Sequence, residues 1–380
     1  MPSNAPRDEP RETQRPHYAA RLEDRVTGRL GRALRRRGWV PRILPYTGYG
    51  QASDGVAPGS VRVLARVLLT SPNRPARVDA SFERRGYRSF LAAKAPAEPV
   101  TLEVGDAVVH VTADRGGYVD VVVPVDLAAG THEVTFRARQ GEAAVGQVVV
   151  VARGERLGVV SDIDDTVMVT AVPRLFLAAW NTFVRHPSAR TPVRGMAELY
   201  RSVRATHPDA PFVYVSTGAW NTASTLTRFL ETHGFPAGPL LLTDWGPTST
   251  GWFRSGPAHK DAALDRLVRE LPDVQWLLVG DDGQHDPGIY TRAAQRHRGH
   301  VAAVAIRRLT PAQQVLAHGT TTSNDPTAPG RGRADHPPHP GDTDPSAALR
   351  APGPATVAAP DGFGLAVALR DVIEGPSTQG

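Results

Sequence analysis

Five short apolar runs in the second half of the chain are separated by helical stretches around 195–206, 220–233, 258–271 and 286–297. The runs are Leu157–Ser161, Phe212–Ser216, Leu240–Thr243, Trp276–Gly280 and Val301–Ile306. Strand–helix alternation sustained over about 150 residues admits few architectures. A helix between two strands returns the chain to the edge it left, so the strands run parallel and helices cover both faces. The pattern predicts an α/β fold with a doubly wound parallel sheet over residues 154–310. In such a sheet ligands bind beyond the carboxyl ends of the strands. The polar residues that directly follow each run are therefore the candidates for chemistry.

Three of the five runs end in such residues. After Leu157-Gly-Val-Val160 comes Ser161-Asp-Ile-Asp-Asp-Thr166, and after Phe212-Val-Tyr-Val215 come Ser216, Thr217 and Gly218. After Trp276-Leu-Leu-Val279 comes Gly280-Asp-Asp-Gly-Gln-His-Asp286, and His259-Lys260 opens the helix before that strand. Singly, these have plain readings: a Ser-Thr-Gly loop start, or Asp282-Gly283 as the tip of a turn. Jointly they converge on one sheet edge. Carboxylates at two strand ends make an oxygen-rich site suited to Mg²⁺. A second carboxylate two residues on can act as general acid and then base. Hydroxyls and free backbone N–H groups at Ser216–Gly218 suit phosphate oxygens. Composition adds Lys260. Of the 44 basic residues only Lys94 and Lys260 are lysines, so a chain that takes Arg almost everywhere has kept a compact ammonium at the predicted edge. There it would neutralise both an attacking carboxylate and a transferring phosphoryl group. Together these residues describe an aspartyl-phosphate enzyme.

The rest of the chain is organised differently. From about Ile43 to Ala152 it consists of short valine-rich segments with Gly, Pro and Asp turns. Val61–Leu69, Ser89–Ala92, Val100–Glu103, Ala107–Thr112, Tyr118–Val123, His132–Arg137 and Gly146–Val151 read as strands of an all-β, sandwich-like accessory domain over 43–153. Residues 1–42 form a basic arm, disordered at first and helical over 18–37, with eight Arg against Glu23 and Asp24 between Arg21 and Arg42. Such a helix either packs on its own domain or lies on an anionic membrane surface. No zinc-finger spacing, helix-turn-helix or aromatic-basic motif supports a nucleic-acid partner. Residues 311–380 read as a largely disordered tail, with Phe363–Ile373 as a short docking helix. The chain has no cysteine, which excludes disulfides, a thiol nucleophile and Cys-ligated metal. With no run of 18 apolar residues and no apolar leader at the start, the expectation is a soluble cytoplasmic protein, peripheral on the inner membrane face through its arm.

The strand-end set resembles the haloacid dehalogenase superfamily of phosphatases. Asp162-Ile-Asp164-Asp-Thr166 is similar to its first motif, Val215-Ser216 to its second, Lys260 to its third and Gly280-Asp281 through Asp286 to its fourth. The resemblance is closer to the phosphatidate phosphatases of the actin-patch-protein type. It rests on Ser161–Thr166, Gly195-Met-Ala-Glu-Leu-Tyr200, Tyr214-Val-Ser216 with Trp220, His259-Lys260 and Gly280–Tyr290. Upstream it takes in Pro45-Tyr-Thr-Gly-Tyr-Gly50, so that it covers about residues 43–310. Asp282, where the family has Ser, and Thr217-Gly-Ala-Trp220, in place of Asn-Ser-Pro-Trp, depart from its pattern.

The resemblance implies a fold of haloacid-dehalogenase type and a Mg²⁺-dependent phosphatase. Asp162 would be the nucleophile and Asp164 the acid–base. Ser216 and Lys260 would hold the phosphoryl oxygens, with Thr166, Thr217 and Gly218 also at the substrate. Asp162, Asp164 through its main-chain carbonyl, Asp281 and Asp286 would hold the metal. The carboxylate already has the acid–base task, so His259 and His285 are not expected to share it. The stretch from Met168 to Arg194 has the length of a flap rather than a cap domain. Its apolar residues either pack on the sheet or line an entrance for a lipid headgroup. The implied reaction is phosphatidate to diacylglycerol and phosphate. The alternatives are a soluble phosphomonoester, a phosphoprotein, or a non-catalytic anionic-lipid-binding protein.

Overall fold

The computed structural model describes residues 29–71, 93–169, 191–243, 256–283, 285–311, 313 and 354–375. Residues 21–28 of the arm, the expected strand Ser89–Ala92 and residues 170–190 of the expected flap lie outside them.

Residues 29–36 form a helix, α1, and eight strands follow: β1 Val40–Gln51, β2 Ser60–Thr70, β3 Ala93–Lys94, β4 Pro99–Val104, β5 Ala107–Thr112, β6 Tyr118–Pro124, β7 Gly130–Ala138 and β8 Ala144–Val151. They make one sheet in the order β3-β2-β1-β8-β7-β4-β5, with β6 paired to β2. The pairing is antiparallel except between β1 and β8. Along β2 the alternation of a strand decides both faces. Val61, Val63, Ala65, Val67 and Leu69 enter the core of this sheet, while Leu64 turns the other way and joins a second core. Two expectations need correcting. The sheet begins at Val40, so β1 crosses the boundary drawn at 42/43. Pro41, Pro45, Gly48 and Gly50 hide β1 from a sequence reading. The prolines are accommodated because β8 pairs only with Gly48–Gln51, leaving the earlier part of β1 with one neighbour there. Lys94 lies in β3 opposite Leu68.

The second unit starts with β9 Arg156–Asp162, followed by the small hairpin of β10 Met168–Val169 and β11 Thr191–Pro192. Then come α2 Met196–Thr206, β12 Phe212–Ala219, a 3₁₀ turn Trp220–Thr222, α3 Ala223–Thr232, β13 Leu240–Thr243, α4 Gly256–Glu270, β14 Val274–Asp281, α5 Asp286–Arg296 and β15 Val301–Arg307. The chain returns as β16 Ala355–Ala359, α6 Gly362–Ala368 and α7 Arg370–Glu374. Six strands form a wholly parallel sheet in the order β13-β12-β9-β14-β15-β16. Helices cover both faces. Val159, Leu277 and Ala303 face a layer containing α2, α3 and α6, and Val160, Leu278 and Val304 face α4 and α5. The direction of winding reverses between β9 and β14, and that reversal opens a crevice at their carboxyl ends.

Residues 355–374 correct the expectation of a disordered tail. β16 pairs with β15 from Ala303↔Ala355 to Arg307↔Ala359, and Leu365 and Leu369 are fully buried. A five-residue alanine-rich strand carries little signal of its own and exists because β15 offers it an edge. Phe363–Ile373, expected as one short docking helix, docks as two: α6 and α7.

The two sheets meet directly. Leu64 and Tyr49 share a core with α4 and α5. Arg62 grips Glu270 with two nitrogens, Nε at 2.9 Å and Nη2, while its Nη1 reaches Asp120. Gln51 Nε2 donates to Asp273 at 2.8 Å.

Candidate active site

Asp162 is the last residue of β9 and Asp281 the last of β14, so both lie at the crevice. Asp286 opens α5, where the positive end of the helix dipole favours a carboxylate. Its approach depends on Gly280: a Cβ there would stand 2.5 Å from Asp286 Oδ2 and 2.7 Å from the Tyr290 ring. Oxygens of Asp162, Asp281 and Asp286 lie within 4.8 Å of one another, all in buried residues. Lys260, in the first turns of α4, bridges Asp162 at 2.7 Å and Asp286 at 2.5 Å. Burial pushes the Asp162 carboxyl well above the usual aspartate range; Lys260 opposes this, and Asp286, Asp281 and Asp164 add to it. Burial also works against the charge on Lys260, but Asp162 and Asp286 outweigh it and hold the ammonium above its ordinary range.

The chain turns sharply after β9. Asp165 adopts a left-handed φ of 59°, a conformation that aspartate tolerates better than most residues. The loop is closed by Val167 N–H on Ile163 O at 3.0 Å and Asp165 N–H on Met168 O at 2.8 Å. Asp164 is thereby brought to Ser216, whose hydroxyl donates to Asp164 Oδ2 at 2.9 Å. Asp164 Oδ1 and Asp286 Oδ2 are buried with no hydrogen-bond partner. Four carboxylates against one ammonium, two of them with an unsatisfied buried oxygen, are a donor set that fits a hard divalent cation such as Mg²⁺.

β12 runs further than its sequence suggests. Val215 pairs with Leu241 and Ala219 with Thr243, so Ser216, Thr217 and Gly218 bulge opposite one residue. Bulges of this kind re-aim side chains beside sites. Thr243 Oγ1 pins the bulge, donating to Thr217 O at 2.7 Å and lying 3.2 Å from Gly218 O. One expected phosphate donor is engaged: Gly218 N–H donates to Ser216 Oγ at 2.9 Å. The Thr166 hydroxyl is enclosed between Asp162 at 3.4 Å and Asp281 at 3.5 Å. Asp282 faces away from the carboxylates, since its Oδ1 accepts Leu309 N–H at 2.7 Å. His259 Nε2 lies 3.3 Å from Leu241 O, and His285 is the exposed residue just before α5, with no side-chain cap hydrogen bond.

Three contributors escaped the sequence reading. Arg307 Nη1 donates to the Asp165 carbonyl, and its Nε donates to Pro360 O at 3.3 Å. It is the first polar residue after Val301–Ile306, where the strand-end rule applies as well. Thr243 ends its own strand in the same way. Tyr200 donates to Ser161 Oγ, which in turn donates to Asp162 O at 2.6 Å.

Residues 157–308 match the family described as phosphatidate phosphatase APP1, catalytic domain. That region is similar to this family over two fifths of the chain. The APP1-type region spans β9 to the end of β15, so β16, α6 and α7 lie beyond it. Phosphatidate phosphatase APP1 of Saccharomyces cerevisiae is 26% identical over 152 residues, 40% of this chain and 26% of its own. An uncharacterised protein of Schizosaccharomyces pombe is 26% identical over 170 residues, 44% of this chain and 28% of its own. The chain thus spans about a quarter of the length of the curated relatives it matches. Among solved structures, a carbohydrate acetylesterase from Xanthomonas citri aligns at a TM-score of 0.32 and 11% identity, covering 89% of this chain and 76% of its own.

Proposed function

We propose that this chain is a Mg²⁺-dependent phosphomonoesterase of haloacid-dehalogenase type that hydrolyses phosphatidate to diacylglycerol and phosphate through an aspartyl-phosphate. The reading is carried by the meeting of Asp162, Asp281, Asp286 and Lys260, from four separate elements, at the reversal point of an APP1-type sheet. Asp162 attacks phosphorus, and the ester oxygen leaves with a proton from Asp164. Ser216 orients Asp164 for this transfer and for the reverse one, in which Asp164 takes a proton from the water that splits the acyl-phosphate. Lys260 opposes the protonation of Asp162 that burial and its carboxylate neighbours favour, and faces the phosphoryl oxygens. Asp162, Asp281 and Asp286, with the main-chain carbonyl of Asp164, would hold Mg²⁺, which would supply positive charge to the phosphoryl group.

The substrate choice draws on the APP1 match and on the basic arm. α1 exposes Arg29, Arg32 and Arg36, while Leu34 and Trp39 pack on the first core and Arg35 pairs with the buried Glu98 at 2.6 Å. A helix anchored on one side and cationic on the other suits a peripheral contact with an anionic inner membrane face. Among the described residues no helix is long and apolar enough to cross a membrane.

Phosphate release from phosphatidate in mixed micelles with Mg²⁺ tests the reading, with Asp162→Asn as the control. It fails if wild type releases no phosphate, or if Asp162→Asn leaves the rate unchanged. A higher kcat/KM on a soluble phosphomonoester would replace phosphatidate as the substrate and keep the chemistry.

A further inference from the structure

The run Pro45–Gly50 has no part in this chemistry, yet it touches the segment that carries Ser216. β1 slips its register against β2 between Tyr46 and Tyr49. Gly48 and Gly50 permit the close approach, since a Cβ on either would collide with the β2 backbone at Arg62 and Ser60. Tyr46 packs against both cores of the second unit. Its ring stacks on Trp220 with centroids 4.4 Å apart and planes 29° apart, and its hydroxyl lies 3.5 Å from the Trp220 carbonyl. Tyr118 of β6 approaches the same indole at 6.3 Å and is itself covered by Arg66 at 4.8 Å.

Trp220 begins the 3₁₀ turn directly after β12, and Thr222 Oγ1 ties that turn back to Ala219 O at 2.7 Å. The bulge Ser216–Gly218 is therefore fastened on one side by Thr243 and on the other by a tryptophan resting on a tyrosine of the other sheet. We infer that Tyr46 is a positioning residue of the phosphate site: by stacking on Trp220 it fixes the Ser216–Gly218 bulge, so the first sheet sets phosphate affinity. This rests on the proposed phosphatase chemistry and on the expectation that Ser216, Thr217 and Gly218 face the phosphoryl group.

The test is orthophosphate binding to the full chain with Mg²⁺, by titration calorimetry, with phosphatidate kinetics and thermal unfolding alongside. An aromatic pair of this kind is worth up to about tenfold in an equilibrium constant. Tyr46→Ala should weaken orthophosphate binding and raise KM by up to about tenfold, with any fall in kcat smaller than the roughly tenfold expected of Ser216→Ala, and Tyr46→Phe should restore wild-type values. Tyr46→Leu, which keeps apolar bulk without stacking, carries the test if Tyr46→Ala does not fold. Wild-type phosphate affinity in Tyr46→Ala or Tyr46→Leu overturns the inference. So does equal loss in Tyr46→Phe, and so does a fall in kcat with KM unchanged. Wild type that binds orthophosphate but releases none from phosphatidate overturns the proposed function alone. Wild type that binds no orthophosphate overturns both.

Discussion

The Ser216 hydroxyl donates to Asp164 Oδ2 over 2.9 Å, joining the bulge of β12 to the turn after β9. Because Asp164 Oδ1 has no partner, this one bond orients the carboxyl. Asp164→Asn should lower kcat by about 10²–10⁴, and Ser216→Ala by a smaller factor of about ten. If Ser216 acts through Asp164, the double variant should be no slower than Asp164→Asn alone. Multiplicative losses in steady-state kinetics would show that the two act independently.

Lys260→Arg keeps the charge and changes its shape. The ammonium fits between Asp162 and Asp286 at 2.7 and 2.5 Å, where a planar guanidinium cannot take the same place. kcat/KM should fall by about 10² or more, as for loss of one donor to a developing oxyanion. Retained activity would mean that charge alone suffices.

Gly280→Ala puts a methyl group where Asp286 and Tyr290 now approach. Displacing Asp286 should cost about 10² in rate and raise the Mg²⁺ concentration needed for half-maximal activity. Overpacking should also cost about 1–3 kcal/mol in urea unfolding.

Glu270 links the sheets through Arg62. Burial raises its carboxyl, but the two-nitrogen grip of Arg62 outweighs this and holds it below the usual glutamate range. The unfolded carboxyl titrates at about 4.3, so the stabilisation is complete above that pH and is lost as pH falls through the lower folded-state value. Glu270→Gln should cost about 1–2 kcal/mol near neutral pH. The difference from wild type should shrink as unfolding is followed toward about pH 3. A gap that does not change with pH would rule out an ionic contribution.

Leu365 and Leu369 are fully buried beneath the last segment, whereas Val367 is 67% exposed. Leu365→Ala and Leu369→Ala should each cost about 2–5 kcal/mol in denaturant unfolding. Val367→Ala should stay within about 0.5 kcal/mol.

The parallel sheet and its carboxylate-lined edge were legible because apolar runs and strand-end polarity are local patterns. Asp162, Asp281 and Lys260 each stand next to an unmistakable strand or helix, and topology does the rest. What escaped depends on partners distant in sequence. β1 is punctuated by Pro41 and Pro45, tolerable only where β8 is absent. β16 has no strand signal until β15 lies beside it. The extent of β12 to Ala219 follows from Thr243 gripping Thr217 and Gly218, which no reading of Ser-Thr-Gly alone contains. The engagement of Gly218 N–H with Ser216 likewise follows from the bulge, not from composition.

β16 also bears on the order of folding. Its pairing with β15 closes a loop of roughly 50 residues, at an entropic cost of about 3 kcal/mol that packing must offset. The other five strands pair with their neighbours without it. The contact from Arg307 to Pro360 can form only once that long excursion has closed, and the same guanidinium holds the left-handed turn at Asp165. The guanidinium that braces the turn after Asp162 is thus itself held by Pro360, the residue that follows the last strand of the chain.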